Sequence, residues 1–346
     1  MEIVLTDPVY APPQAPGLLG RAAVRVIRDP RDLPFLQLMA LLAVTVVPTG
    51  LALYVNRLFP SAATWWLLAL VHSGLVIHFL GPFVLMLHNT SHRALFKHGW
   101  GWANNVIPWL LGPFFGESPE TYFAHHVGMH HLENNLGPDL STTLPFKRDS
   151  FIGFLRYFLR FFFFGLIELT AYFGRKKRSN LMWRCIVGEL SFLALCAGLC
   201  LVSARATIVV FMGPFVVVRF AMMAGNWAQH AFIDQAAPEN NYRNSITCIN
   251  AVYNRRCFND GYHISHHLKA TRHWTEHPKE FMGNLPKYVA EKALVFEGID
   301  FFVVWIFLML KRYDWLANRL VQLGDEPMST EDAIAMMRAR TGWTQA

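Results

Sequence analysis

Histidines in three short clusters are the residues of this chain whose types and spacing suggest chemistry. The densest cluster is HHVGMHH at residues 125–131, in which four of seven residues are imidazoles. HISHH at residues 263–267 repeats the pattern, and His88 and His92 form an earlier pair. Imidazole is the commonest side-chain metal ligand. We therefore predict one metal site, assembled from three distant pieces of sequence.

The spacing within the clusters indicates more than one metal. Residues four apart on a helix share a face, as His88 and His92 would. His131 is rotated from His130 by about 100°, so the two rings can serve different metals. Eight clustered histidines exceed the four ligands of a zinc ion and suit two metals with vacant positions. Imidazole favours Fe, Zn, Cu or Ni over Mg or Ca. The eight are His88, His92, His126, His130, His131, His263, His266 and His267.

Composition places these histidines in a membrane protein. Of 346 residues 53% are hydrophobic and 16% are charged, against about 25% charged in a typical soluble domain. The formal net charge of +7 is explained by cytoplasm-facing loops without a nucleic acid. The five cysteines show no CxxC spacing, which argues against a zinc ribbon or a disulfide framework.

Four apolar segments are long enough to span a bilayer, and short turns pair them into two hairpins. Three further apolar segments are too short, or too charged, and we interpret them as re-entrant or interfacial; a full span is the alternative for the second of these. The predicted spans are Pro34–Val55, Ala62–Leu87, Leu181–Val202 and Thr207–Gly225, and the interfacial segments are Ile107–Phe115, Phe151–Phe173 and Ile299–Leu310.

Charge predicts the orientation of these spans. The turns at Arg57 and Arg205 hold one basic residue each, whereas the long segments that carry the histidines are rich in Lys and Arg. By the positive-inside rule both termini and all three clusters face the cytoplasm. The predicted fold is an all-α integral membrane protein, with four transmembrane helices in two hairpins and a cytosolic helical cap that holds a di-metal site. We divide it into an arm (1–33), a membrane domain (34–310) and a tail (311–346), with short terminal helices near 18–27 and after Ser329.

The clusters match motifs of a known superfamily. HNTSH at 88–92, HVGMHH at 126–131 and HISHH at 263–267 resemble the HxxxH, HxxxHH and HxxHH boxes of membrane fatty acid desaturases and hydroxylases. NWAQH at 226–230 resembles the extra Asn-xxx-His element that follows their fourth span. The resemblance covers roughly residues 60–280, in order and spacing, and leaves the arm and tail uncovered.

The resemblance implies a di-iron centre, O₂ as the oxidant and attack on an unactivated C–H bond. It implies Asn226 as a ligand through a water, and nine histidines as direct ligands. His125 competes with His126 for the first ligand of the second box, and the HxxxHH spacing favours His126. A His-Pro-Gly-Gly haem motif is absent from the sequence, so electrons come from a separate carrier of ferredoxin, rubredoxin or cytochrome b5 type. The nine are His88, His92, His126, His130, His131, His230, His263, His266 and His267.

Neutral ligands leave each metal its full charge, so nearby carboxylates are expected to orient the ligand N–H groups. Four acidic residues lie beside the boxes, and loop solvation or capping is the alternative role for each. His98, His273 and His277 are also near boxes but fit no ligand position. We expect alanine at these three positions to leave turnover, as at other surface sites. The four acidic candidates are Glu133, Asp139, Asp234 and Asp260.

The predicted function is O₂-dependent oxidation of an aliphatic chain, most simply desaturation of a fatty acyl lipid. Hydroxylation or oxidative decarboxylation by the same site is the alternative, because the boxes do not decide between them. A divalent-metal transporter is a third hypothesis. Transporters place polar ligands near the bilayer midplane, whereas these clusters follow the ends of the predicted spans.

Overall fold

The computed structural model describes residues 3–11, 17–324 and 327–342, and 68% of the chain is helical. Predictions for parts of the arm (1–2 and 12–16) and of the tail (325–326 and 343–346) lie outside the described residues. The expected short helix near 18–27 is confirmed as Leu18–Val26. The expected terminal helix begins after Ser329, whose side chain accepts from the amide of Asp332.

The first nine α-helices in the described part of the chain end at Gln229, and short 3₁₀ or π turns join several of them. They are α1 (Leu18–Val26), α2 (Leu33–Val44), α3 (Val46–Ala52), α4 (Ala62–His92), α5 (Thr121–His125), α6 (His131–Glu133), α7 (Phe151–Arg175), α8 (Ser179–Thr207) and α9 (Gly213–Gln229). The turns include the 3₁₀ segments His98–Asn105 and Gly112–Phe115 and the π segments Val106–Leu111, His126–His130 and Ile208–Met212.

The remaining elements are short. They are α10 (Asn241–Asn244), β1 (Ile246–Ile249), α11 (Val252–Arg256), α12 (His263–Leu268), α13 (His277–Gly283), α14 (Leu285–Ala290), β2 (Leu294–Glu297), α15 (Phe301–Met309), α16 (Tyr313–Ala317) and α17 (Thr330–Arg340). The strands β1 and β2 pair in parallel, with Ile246 opposite Leu294. The described chain is mostly helical, as predicted, and this short parallel pair departs from the all-α prediction, because a four-residue run does not reveal whether it is strand or helix.

Three stretches of the described chain are long and apolar enough to cross a membrane: Pro30–Ala52, Ala62–His92 and Ser179–Gln229. The third contains both of the last two predicted spans. Its helix is interrupted at Ser203, where φ is −159° and ψ is 98°, inside the predicted turn. The predicted interfacial segments fall on the irregular helix 106–115 and on α7 and α15, which are not among these three stretches.

Local chemistry explains the shapes of the first two stretches. The break between α2 and α3 lies at Thr45, because Pro48 cannot donate to the carbonyl one turn earlier and its ring crowds that turn. The 31 residues of α4 run about 46 Å, against a hydrocarbon core of about 30 Å. If α4 begins at one edge of that core, its last turns, with His88 and His92, extend past the other.

The chain divides into two compact units. Unit 1 comprises Met1–Val9, Gly128–Glu168 and Phe220–Ala346, and unit 2 comprises Tyr10–Val127 and Leu169–Arg219. Within unit 2 the break at Ser203 lies beside the turn that follows α3. Arg205 donates to Asn56 at 2.9 Å and stacks over Trp65, 4.5 Å from its ring centroid. The two predicted hairpin turns are therefore neighbours.

The loop at residues 116–121 of unit 2 is anchored to α8 and α9 by buried polar contacts. Arg219 of α9 donates to Ser118 at 2.9 Å and to both carboxylate oxygens of Glu189 of α8, at 3.0 and 2.9 Å. Arg184 of α8 pairs with Glu120. This ionic network fixes the loop immediately before α5, the helix that leads into the second histidine box.

Unit 1 has two apolar cores beside its sheet. One contains Phe154, Trp227 and Trp305 together with the buried faces of α9, α15 and α17. The other contains Tyr262 and Tyr288, and it lies against the third histidine box. Burial of these aromatic rings supplies the packing that positions the polar groups of the unit.

Gly188 tests the packing of the loop on α8. A Cβ at this position would overlap the carbonyl of Pro119, whereas a Cβ at Gly198 on the same helix meets open space. We expect Gly188→Ala to lower the unfolding midpoint of the detergent-solubilised protein, at a cost of about 1–3 kcal/mol. Gly198→Ala should leave it unchanged or raise it, because alanine is the better helix former. Equal shifts for the two variants would contradict this packing.

Candidate metal centre

Four histidines of unit 1 bring their ring nitrogens to one point. His130, His230, His263 and His267 each offer a nitrogen, and the four nitrogens lie within 4.8 Å of one another. The rings pack edge to face, with centroids 5.2 Å apart for His230 and His263 and 4.4 Å for His263 and His267. We call these four residues the quartet. They come from three separate segments of the chain.

The far side of three quartet rings is held by an acceptor. Nδ1 of His130 lies 2.7 Å from the carboxylate of Asp139. Nδ1 of His230 lies 3.0 Å from the backbone carbonyl of Asn244 and 3.1 Å from its side-chain oxygen. Nδ1 of His267 lies 2.9 Å from the side-chain oxygen of Asn134.

These contacts determine which nitrogen carries the proton. A carbonyl oxygen only accepts, so Nδ1 of His230 is the N–H and its Nε2 keeps a lone pair. The same argument applies to His130 beside a carboxylate. Two Nε2 atoms, those of His230 and His263, face each other at 3.3 Å. The lone pair on Nε2 of His230 needs a partner at this point, and a cation within reach of the four converging nitrogens would supply it. The quartet therefore fits a metal ion.

The electrostatics of the quartet agree with neutral ligands. His230 is completely buried. Burial, aided by the neighbouring His130 ring, lowers the pKa of His230 to about 4. The ring is therefore neutral at physiological pH, which is the form that binds metals.

The other five predicted histidines are divided between the two units of the chain. In unit 1, Nε2 of His131 lies 2.9 Å from Nε2 of His266. In unit 2, the ring of His126 lies against those of His88 and His92, with centroids 4.6 and 5.1 Å away. His126 therefore contacts both rings of the first box, and His125 is the last residue of α5.

Asn226 presents only part of its amide for the predicted water-mediated role. Its Nδ2 donates to the hydroxyl of Tyr157 at 2.7 Å and to the carbonyl of Ser141 at 3.1 Å. The side-chain oxygen of Asn226 is therefore the end left to accept from a water. One turn along, the backbone amide of His230 donates to the Asn226 carbonyl at 3.2 Å.

Of the four acidic candidates, Asp139 is hydrogen-bonded to a quartet ring, that of His130. Besides His130, it accepts from the amides of Asn135 and Ser141 at 2.9 and 2.8 Å, and from the Ser141 hydroxyl at 2.7 Å. Three donors hold this buried carboxylate as an anion.

The other acidic candidates have different surroundings. Asp234 faces Arg243 at 3.4 Å, and Asp260 accepts from the hydroxyl of Tyr253 at 2.7 Å. Glu133 lies half-buried at the end of α6. Spacing along the chain did not separate these three from Asp139.

The three histidines near the boxes that fit no ligand position were expected at the surface, and this expectation was wrong for two of them. His98 is exposed, but His273 and His277 are buried. His277 shares a 2.8 Å hydrogen bond with Ser265, inside the third box. Substitution of His277 therefore disturbs the segment that carries His263, whereas His98 remains a suitable surface control.

Sequence reasoning missed the asparagines around the quartet. Asn134 bonds His267, and its carbonyl accepts from Asn244 at 2.8 Å. Asn135 donates to Asn244 at 3.1 Å. Asn134 and Asn135 lie three and four residues after His131, a position that could have suggested a role. Asn244 is fourteen residues beyond His230, and the sequence carries no signal for it.

Comparison with known protein families agrees with the site. A family model described as fatty acid desaturase matches residues 63–296, more than half of the chain. The chain belongs to the fatty acid desaturase family. The resemblance of the histidine boxes is thereby confirmed, and with it an oxidoreductase class, fatty acyl substrates and association with membranes. Comparison with curated proteins and with solved structures gives no match.

Asp139 tests the quartet as a metal site. Asp139→Asn removes the negative charge beside His130, and loss of such a partner typically lowers metal affinity about 10–100-fold. The measurement is a titration of metal-free protein with Fe²⁺ or Co²⁺. Asp260→Asn is the matched control, because it removes the charge of a carboxylate that accepts from the hydroxyl of Tyr253. Equal affinities for the two variants would separate Asp139 from metal binding.

Proposed function

We propose that the chain is a membrane-bound di-iron desaturase that uses O₂ to introduce a double bond into a fatty acyl chain. The carrying observation is the quartet, whose four nitrogens lie within 4.8 Å of one another while acceptors hold the far sides of three of the rings. Membership of the desaturase family supports the same reaction class. When bound, the irons would supply the oxidising power that an unactivated C–H bond requires.

We propose that all nine histidines of the boxes and of the fourth element serve two irons. Imidazole nitrogens suit iron, and nine are too many for one four-coordinate zinc. In this proposal Asp139, Asn244 and Asn134 orient the histidine rings. Asn226 orients a water through its side-chain oxygen. The quartet alone would also satisfy a tetrahedral zinc, so the metal has to be measured.

Electron balance supports a separate redox partner. Removing two hydrogens from an acyl chain while O₂ becomes two waters consumes two further electrons and two protons. We propose that a ferredoxin, rubredoxin or cytochrome b5 type carrier supplies the electrons. Hydroxylation or oxidative decarboxylation of the same chain remains the alternative outcome at this site.

The proposed topology has four spans in two hairpins, beneath a cytosolic cap that holds the site. The contact of Arg205 with Asn56 supports it, because it brings the two turns together within unit 2. Charge asymmetry supports cytoplasmic termini, since these turns are poor in Lys and Arg. The division into arm, membrane domain and tail belongs to the same proposal.

Product and metal analysis test the reaction. Mass spectrometry of lipid extracts from expressing cells should show acyl chains that have lost two hydrogens, not chains that have gained oxygen or lost a carbon. Elemental analysis of the purified protein should give two irons per chain. One zinc and no iron in active protein would contradict the di-iron proposal.

His230→Ala tests the fourth element. It removes a quartet nitrogen, so product per amount of membrane-inserted protein should fall to background, and bound iron should fall with it. His98→Ala is the control, because His98 is exposed and surface substitutions usually cost within about 0.5 kcal/mol. Wild-type yield from His230→Ala would make this element structural.

Cysteine labelling tests the topology. Ser61→Cys and Ser203→Cys should react with an impermeant thiol reagent from outside the cell, and Ser329→Cys should react only after permeabilisation. The unmodified chain gives the background from its own five cysteines, four of which are buried. Opposite labelling of the two turns would contradict the paired hairpins.

A further inference from the structure

The two chain ends lie outside the family match at residues 63–296, yet both contact quartet-bearing segments of unit 1. We propose that residues 6–8 and 340–342 position His263 and His230 for metal binding. The inference rests on the proposed metal site. It gives a function in this chain to two segments that the histidine boxes leave unexplained.

The tail acts through Arg148, a fully buried guanidinium whose hydrogen bonds go to backbone carbonyls. It donates to Arg340 at 2.9 Å and to Gly342 at 2.7 Å, and its own amide donates to Thr341 at 2.9 Å. These are carbonyls at the end of α17, which otherwise lack partners along the helix. Nε of the same guanidinium donates to the backbone carbonyl of Ala231 at 3.0 Å.

Those contacts enclose His230. Ala231 is its neighbour in the chain, and the His230 carbonyl accepts from the hydroxyl of Thr143 at 2.8 Å. Thr143 in turn offers its own carbonyl to Arg148 at 3.3 Å. Trp227, one turn before His230, donates to the Arg148 carbonyl at 2.9 Å. Arg148 therefore couples the end of α17 to both sides of His230.

The arm reaches the third box in a similar way. The buried carboxylate of Asp7 accepts from the Tyr262 hydroxyl at 2.6 Å and from the Asn250 amide at 2.8 Å. Thr6 donates to the Asn250 side chain at 2.7 Å, and the Pro8 carbonyl accepts from Asn259 at 2.9 Å. Tyr262 immediately precedes His263, so the arm holds the residue from which α12 begins.

The two rings that these segments hold face each other in the quartet. Nε2 of His230 lies 3.3 Å from Nε2 of His263. Metal–ligand distances tolerate deviations of only about 0.2 Å. Small displacements of either segment therefore change metal affinity well before they unfold a core containing Phe154 and Trp305.

The tail is tested by placing a charge on α17. Met337 is fully buried, whereas Ala335 on the same helix is exposed. Met337→Asp should undock α17, so that metal is lost to a chelator about 10–100-fold faster and the absorption spectrum of the Co²⁺-loaded protein changes. Ala335→Asp and Met337→Leu should match the unmodified chain. Arg148→Lys, which keeps the charge but reaches fewer carbonyls, is the second variant should Met337→Asp fail to insert.

The arm is tested by a pair of substitutions. Asp7→Ala should accelerate metal loss, and adding Tyr262→Phe should accelerate it no further, because both remove the same hydrogen bond. An unmodified chain that holds no metal would overturn the proposed function itself. An unmodified chain that holds metal, with release rates and Co²⁺ spectra unchanged in all these variants, would overturn the role of the termini alone.

Discussion

A histidine that binds metal through one ring nitrogen almost always gives its other nitrogen to an acceptor, and three of the four quartet rings in unit 1 are held in this way. A carboxylate serves His130, a backbone carbonyl serves His230 and an amide oxygen serves His267. Each acceptor is itself hydrogen-bonded, as Asp139 is by two backbone amides. The ring directions thus depend on a connected polar network, in which every buried member needs its partners.

The charges in this network leave the Asp139 carboxylate bonded to His130. Neutral imidazoles do not offset a cation, and Asp139 supplies a carboxylate in direct contact with a quartet ring. Arg148 is buried in the same unit, and burial lowers its pKa to about 10, which leaves it cationic at neutral pH. Because backbone carbonyls satisfy its guanidinium, Arg148 does not draw Asp139 away from His130.

Features with a local signal were predictable from the sequence. Apolar runs of about twenty residues gave the spanning stretches, and Ser329 marked the start of the last helix. What depends on distant contacts was not predictable. The strand residues Ile246 and Leu294 pair across 48 positions, and Asp139 differs from Asp234 only in what the fold brings beside it. The burial of His277 has the same cause, since α12 and α13 pack together.

Adjacent histidines show where spacing stops being informative. Neighbours on a helix differ in direction by about 100°, so His130 and His131 point to different centres, as do His266 and His267. The structure places His130 with His267 in the quartet and pairs His131 with His266. Rotation along a helix explains why each pair divides. Only the crossing of the two segments in space determines which member of one pair meets which member of the other, and the acceptors behind His130 and His267 help to hold that crossing.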